Sequence, residues 1–300
     1  MTQMQTPGLG TRAPNGAPAP GPVSPPLSVR SFGATDRGMT RENNEDQFVI
    51  ASLMKALWVQ QSSLPQSGVQ YANHRGNLFM VADGVGGARS GEKASALAVS
   101  AMEGLLLDAL HWLLSLDGAA DASVLREFQS ALWKADATVC AVAAQNPGLR
   151  GMGTTLTMAY SLDADLFVAH VGDSRCYLQR GGVLRQLTRD HTLAQHMVER
   201  GLLAPENVAD YEFRNVITNV VGGSTPGVQV ELHRVRLEPG DTLLLCTDGL
   251  TGMVPDGQIA RVLQAAAAPQ TACQELIRLA NEQGGKDNVT VVVARYTPKS

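Results

Sequence analysis

At 300 residues, with 44% apolar and 17% charged side chains, the chain can bury a core and suits one large domain or two small ones. A formal net charge of −4 offers no basic footprint for nucleic acid, so a nucleic-acid partner is not expected and a nuclease reading is weakened. No apolar run reaches bilayer length and no basic segment followed by an apolar one opens the chain, so the expectation is a cytoplasmic protein without a membrane partner.

Residues 1–28 form a Pro/Gly/Ala-rich stretch that cannot bury enough surface to offset its ordering entropy, and a disordered tail or tether is expected there. The folded domain is predicted over 29–297. A short strand and turn cover 31–38, and the block 41–50 sets Arg41 five positions ahead of Asp46, with a strand following. Residues 51–77, with Trp58 and Pro65, read as a hairpin with a long loop. An apolar run from Leu78 stops at Asp83, where Gly84, Gly86 and Gly87 let the backbone turn beside the carboxylate. Ser90 can cap a helix running to about 114, and a second helix spans 122–145, ended by Asn146-Pro147-Gly148.

Strands are then predicted at 154–162, 166–171 and 175–180, with Gly181-Gly182 turning into a strand at 183–187. A short helix covers 193–200, and 202–223 is polar and irregular enough for a surface flap. Strands at 228–237 and 242–246, helices at 255–268 and 271–283, and a closing strand at 289–296 complete the chain. Strands and helices come in blocks rather than in strict alternation, which argues for α+β, with antiparallel sheets face to face and helices outside. The four cysteines, Cys140, Cys176, Cys246 and Cys273, lie far apart in apolar contexts and read as reduced core residues.

One device recurs along this chain. Asp83, Asp173 and Asp248 each follow an apolar strand, and Asp287 precedes one. Brought together, these carboxylates would repel unless cations lay between them, and oxygen-only clusters suit Mg, Mn or Ca rather than zinc. Arg41 beside Glu45 and Asp46 reads either as a solvated charged turn or as a fork for a phosphate next to metal-holding acids, since guanidinium matches two phosphate oxygens at once.

In order, the blocks Arg41-Glu-Asn-Asn-Glu45-Asp46, Val81-Ala-Asp83-Gly84-Val-Gly-Gly87, Gly151-Met-Gly153-Thr-Thr155, Val171-Gly-Asp173-Ser-Arg175, Leu187-Thr-Arg-Asp190-His191, Thr247-Asp248-Gly249-Leu250 and Gly285-Lys-Asp287-Asn288 span most of the chain. Together they resemble the metal-dependent protein serine/threonine phosphatases, the PPM or type-2C family, in its bacterial form. The resemblance implies a central β-sandwich of two antiparallel sheets flanked by pairs of antiparallel helices, with a flap at about 192–223 beside the cleft. It implies two Mn²⁺ or Mg²⁺ ions and a third, weaker one. Asp83 would bridge the pair and the Gly84 carbonyl would serve one of them; Asp248 and Asp287 would complete the second, Glu45 and Asp46 would hold metal-bound water, and Asp173 would hold the third ion. Arg41 would grip the substrate phosphate.

The implied activity is hydrolysis of phosphoserine and phosphothreonine by in-line attack of a metal-bridging hydroxide, opposing a bacterial Ser/Thr kinase, by a monomer acting on phosphorylated proteins. The alternatives are a catalytically silent phosphoprotein-binding module of the same fold and a small-molecule phosphohydrolase. Eukaryotic members carry a histidine after the central Asp-Gly, where this chain has Val85, so a water is expected to protonate the leaving group, and His170 and His191 are expected to be structural.

Overall fold

The computed structural model describes residues 27–60, 68–86, 90–108, 121–224 and 227–299. In chain order the strands are β1 Leu27–Asp36, β2 Asp46–Val59, β3 Gly68–Val85, β4 Gly153–Thr154, β5 Leu156–Leu162, β6 Asp165–Val171, β7 Arg175–Arg180, β8 Val183–Gln186, β9 Val221–Gly222, β10 Glu231–Arg236, β11 Thr242–Cys246 and β12 Val289–Pro298. The helices are α1 Ser90–Asp108, α2 Asp121–Gln145, α3 Leu193–Glu199, α4 Asp248–Thr251, α5 Asp256–Ala265 and α6 Pro269–Glu282.

The strands form two antiparallel sheets. One runs β1-β12-β11-β7-β8, and the other runs β10-β6-β5-β3-β4-β9 with β2 also paired to β3. Both sheets are covered on both faces, which is why their strands read as continuous apolar runs rather than alternating ones. Along β3, Phe79 and Val81 point into the layer between the sheets, against Leu243, Leu245, Val292 and Tyr296. Leu78, Met80 and Ala82 point the other way, onto α1 and α2.

The helical stripes match these faces. Ala94, Ala98 and Met102, four residues apart on α1, and Val124, Phe128 and Leu132 on α2 are all buried. Phe128 meets Tyr160 of β5 edge-on, with ring centroids 5.9 Å apart. On the far side Ile259 and Leu263 of α5 and Ala272, Leu276 and Ala280 of α6 cover Leu244, Val291 and Val293. The order is helices, sheet, sheet, helices, an α+β sandwich as expected.

Several boundaries differ from expectation. Leu27 and Ser28, assigned to the tail, pair with Pro298 and Thr297 and belong to β1; residues 1–26 lie outside the described residues. The hairpin expected over 51–77 is present as β2 and β3, with its turn, Gly87 and the predicted end of the first helix near 114 also outside them. Ser90 is the first residue of α1 rather than its cap, and its hydroxyl donates to the Gly148 carbonyl at 3.4 Å. The strand predicted at 228–237 shortens to β10, because the Gln229 N–H donates to the side chain of Asn219 instead of a ladder partner. Asp248 opens a short helix that strand-end logic did not anticipate, and the flap contains a 3-10 turn at Pro205–Asp210. Among the described residues no helix is long and apolar enough to cross a membrane.

Candidate metal centre

Antiparallel pairing brings the predicted acids to one end of the sandwich. Asp36 at the end of β1 pairs with Val289 at the start of β12, Cys246 at the end of β11 pairs with Val291 and Arg175, and Val171 at the end of β6 pairs with Leu156. On the other sheet Asp46, the first residue of β2, stands directly opposite Asp83 of β3. Like charges in that position destabilise a sheet unless something neutralises them.

Both aspartates are held by backbone and hydroxyl contacts. Asp46 Oδ2 accepts from Thr247 Oγ1 at 2.8 Å and Thr290 Oγ1 at 2.7 Å, while its Oδ1 is buried without a partner. The Asp83 N–H donates to Thr155 Oγ1, and its carbonyl accepts from the Thr155 N–H and Thr154 Oγ1. Thr155 Oγ1 continues to Ser174 Oγ at 2.8 Å, linking the Asp83 turn to the loop that carries Asp173. Ser174 thus serves to fix this turn.

Arg41, in the connection between β1 and β2, meets Asp287 just before β12, and Glu45 lies beside them. Arg41 Nη2 donates to Asp287 Oδ2 at 2.7 Å, and Asp287 Oδ1 accepts from the Asn288 N–H. Asn288 ties the strands together: its Oδ1 accepts from the Glu45 N–H, and its Nδ2 donates to the carbonyls of Arg37 and Asn43. A Cβ on Gly84 would sit 2.2 Å from the Gly91 carbonyl, so only glycine lets the first turn of α1 pack against the Asp83 turn.

Burial makes this concentration of negative charge costly. It is the first cause that pushes the Asp46 carboxyl up to about 7 and Asp248 up to about 6, followed by neighbouring aspartates. Asp83 and Asp173 are raised well above the usual range for the same reasons, and Glu45 is raised as well. Asp46 Oδ1, Asp173 Oδ1 and Asp248 Oδ1 are all buried without a hydrogen-bond partner. Orphaned oxygens on three carboxylates close enough to raise one another suit hard divalent cations, although among the described residues only His170, His191 and Glu231 bring three ligand atoms within 4.8 Å of one another.

Asp173, Asp248 and Asp287 line a cleft of about 790 Å³ whose other wall is the flap, through Pro205, Val208 and Arg214. The flap is anchored at its base, where Thr192 bridges Ile217 and the His191 carbonyl accepts from the N–H and hydroxyl of Thr218. Arg175 also lines the cleft, but two of its nitrogens are committed to Asp190 and a third to Tyr177. It is not available to a phosphate.

His170 and His191 fill structural positions. His170 is buried between Thr157 Oγ1 at 2.8 Å and the Arg189 carbonyl at 3.1 Å. His191 Nδ1 accepts from the Gly172 N–H and Asn219, leaving Nε2 toward Glu231. Sequence reasoning assigned no role to Thr154, Thr155, Thr247, Thr290 or Asn288, although Thr247 sits directly before Asp248 and Thr155 follows the Gly-Met-Gly block. A hydroxyl one residue from a strand-end acid was the available signal.

Residues 66–288 match the family described as Protein phosphatase 2C. The chain is 32% identical over 259 residues to the serine/threonine phosphatase stp of Listeria innocua serovar 6a, covering 86% of this chain and 92% of that protein. The structure of the S. agalactiae serine/threonine phosphatase aligns at a TM-score of 0.72 and 30% identity, over 89% of this chain and 99% of that one. The catalytic domain of the serine threonine protein phosphatase PstP, solved in complex with 2 manganese ions, aligns at 0.68 and 34% identity, over 90% of this chain and 99% of that one.

Proposed function

The chain belongs to the protein phosphatase 2C family, and from that premise we propose that it is a metal-dependent phosphatase hydrolysing phosphoserine and phosphothreonine in proteins. The observation that carries the reading is the set of buried, unpartnered oxygens on Asp46, Asp173 and Asp248 at the floor of the acidic end. A module that had lost turnover would have no need to keep them. Asp83 and the Gly84 carbonyl, Asp248 and Asp287 would hold two Mn²⁺ or Mg²⁺ ions, Glu45 and Asp46 would act through water, and Asp173 would serve a third site. When bound, such ions supply a nucleophilic oxygen at neutral pH and neutralise phosphoryl charge.

The rest of the chemistry belongs to side chains. Thr247 and Thr290 hold Asp46 in one orientation, and the Thr154-Thr155 pair holds the Asp83 backbone. Arg41 stands within electrostatic reach of Asp83 and Glu45 and would grip the substrate phosphate. Val85, 38% exposed, occupies the position after the central Asp-Gly, and His170 is fully buried. Neither can hand a proton to the departing alkoxide, and water is the donor in this reading. The natural counterpart is a Ser/Thr kinase in the same cytoplasm, and the enzyme acts as a monomer.

The test is hydrolysis of p-nitrophenyl phosphate and of phosphothreonine peptides with Mn²⁺ and after EDTA. Metal-dependent turnover of both is expected. Phosphopeptide binding without turnover would favour a silent recognition module, and faster turnover of nucleotides or sugar phosphates than of peptides would favour a small-molecule phosphohydrolase.

A further inference from the structure

Among the described residues three cations line the cleft beside the acidic floor: Arg175, Arg214 and Lys286. Arg175 is bound on two sides to Asp190. Arg214 directs Nη1 to the Ala209 carbonyl within the flap at 2.8 Å. Lys286 is exposed and makes no hydrogen bond or ion pair among the described residues, although it adjoins Asp287, whose oxygens each accept one hydrogen bond, from Arg41 and from the Asn288 N–H.

Its backbone, by contrast, is pinned on both sides. The Gly285 carbonyl accepts from the Met39 N–H at 2.8 Å and from Thr40 Oγ1 at 2.9 Å, and Asn288 is tied to Glu45, Arg37 and Asn43. Gly285 itself adopts φ +49, and a Cβ there would sit 2.8 Å from the Met39 nitrogen. Lys286 is therefore a positive charge without a partner among the described residues, carried on a pinned backbone at the edge of the cleft, one residue from a proposed metal-site acid. A charge left without a partner in a substrate cleft is available to the substrate.

We propose that Lys286 is a specificity-determining residue that recognises a second anion on the substrate, next to the phosphorylated residue. This rests on the phosphatase reading of the same cleft. The anion is a carboxylate or a neighbouring phosphate, the two groups that pair with an ammonium without needing a two-pronged donor.

The experiment compares kcat/KM of the full chain with Mn²⁺ on three phosphothreonine peptides, carrying Glu, phosphoserine or Gln beside the phosphothreonine, with loss of the phosphothreonine phosphate alone followed by mass spectrometry because phosphoserine is itself a substrate. Wild type is expected to prefer Glu over Gln by about two- to fivefold, the range of an exposed ion pair, and phosphoserine by more, with both preferences shrinking in high salt. Lys286→Gln should bring the ratios near one, and Lys286→Glu should invert them. Ratios cancel any general effect of a substitution on the centre, and a peptide with Lys beside the phosphothreonine, expected to be the best substrate of Lys286→Glu, checks that this variant is folded. Ratios near one in wild type, or ratios indifferent to residue 286, overturn the inference while leaving the phosphatase intact. Absence of turnover on every peptide and on p-nitrophenyl phosphate overturns the phosphatase reading on which the inference depends. Preference for phosphoserine but not Glu assigns the site to a phosphate alone.

Discussion

Arg41 and Asp287, 246 residues apart in sequence, form an ion pair at 2.7 Å. The side chains are 53% and 32% exposed, so solvent screens the pair and its net worth to stability is small. Its importance is positional, because it sets the proposed phosphate grip against a proposed metal ligand. Arg41→Ala is expected to weaken capture of the substrate dianion by about 1.5–3 kcal/mol in kcat/KM, the usual worth of a hydrogen bond to a charged group. Arg41→Lys should fall between Ala and wild type, since ammonium restores charge without the two-pronged geometry. Mn²⁺ affinity measured by calorimetry should not fall in either variant. If it does, Arg41 supports the metal site rather than the substrate.

Metal and stability should be linked at the same end of the fold. Buried aspartates that repel one another are relieved by a cation that binds only the folded state, so Mn²⁺ at one hundred times its Kd should stabilise by about 2.7 kcal/mol, and EDTA should remove that gain. Asp248→Asn should abolish Mn²⁺-dependent turnover yet raise the melting temperature of the metal-free protein, because one of the mutually repelling charges has gone. A metal-free variant melting below wild type would contradict the repulsion account.

The threonine pair on Asp46 gives a test that leaves every acid in place. Thr290→Val preserves shape and removes one of the two hydroxyls on Asp46 Oδ2. The expected cost is about 1–3 kcal/mol of stability, as for a buried partner left unsatisfied, with about 10- to 100-fold weaker Mn²⁺ binding from misorientation of the acid. Stability loss without any change in Mn²⁺ affinity would make Thr290 a core residue only.

His170 predicts a pH dependence with a definite sign. Burial, together with the nearby His191, lowers its imidazole to about 4. The unfolded chain, with an ordinary value near 6.5, therefore binds more protons than the folded one between those limits. The stability that this neutral histidine contributes is full above about pH 6.5 and declines by up to about 1.4 kcal/mol per pH unit toward pH 4. In urea titrations the stability gap between wild type and His170→Gln should narrow over that window. A gap independent of pH would show that the imidazole is not held neutral.

The flap separates access from chemistry. Arg214 lines the cleft, whereas Tyr211 packs edge-on against Phe213 at 5.9 Å. Arg214→Ala should change kcat/KM on phosphopeptides more than on p-nitrophenyl phosphate, and equal losses on both would remove the flap from substrate recognition.

The positions of Asp83, Asp173 and Asp248 could be read from the sequence because each ends an apolar run, and a strand that stops on an acid is a local pattern of period and polarity. The α+β class was readable for the same reason: blocks of short apolar strands and amphipathic helices each declare themselves within a dozen residues. What no local window contains is register. That Asp46 faces Asp83, that Thr247 and Thr290 converge on one oxygen of Asp46, and that Asn288 reaches the Glu45 amide depend on how β2, β3, β11 and β12 slide past one another. Register is decided by the packing of both sheet faces at once, since a slip of one residue would exchange the side chains of the layer between the sheets with those under the helices. The same holds for the cations: Arg41, Arg175 and Lys286 carry the same charge in the sequence, and only the folded chain gives the first to Asp287, the second to Asp190 and leaves the third facing the cleft.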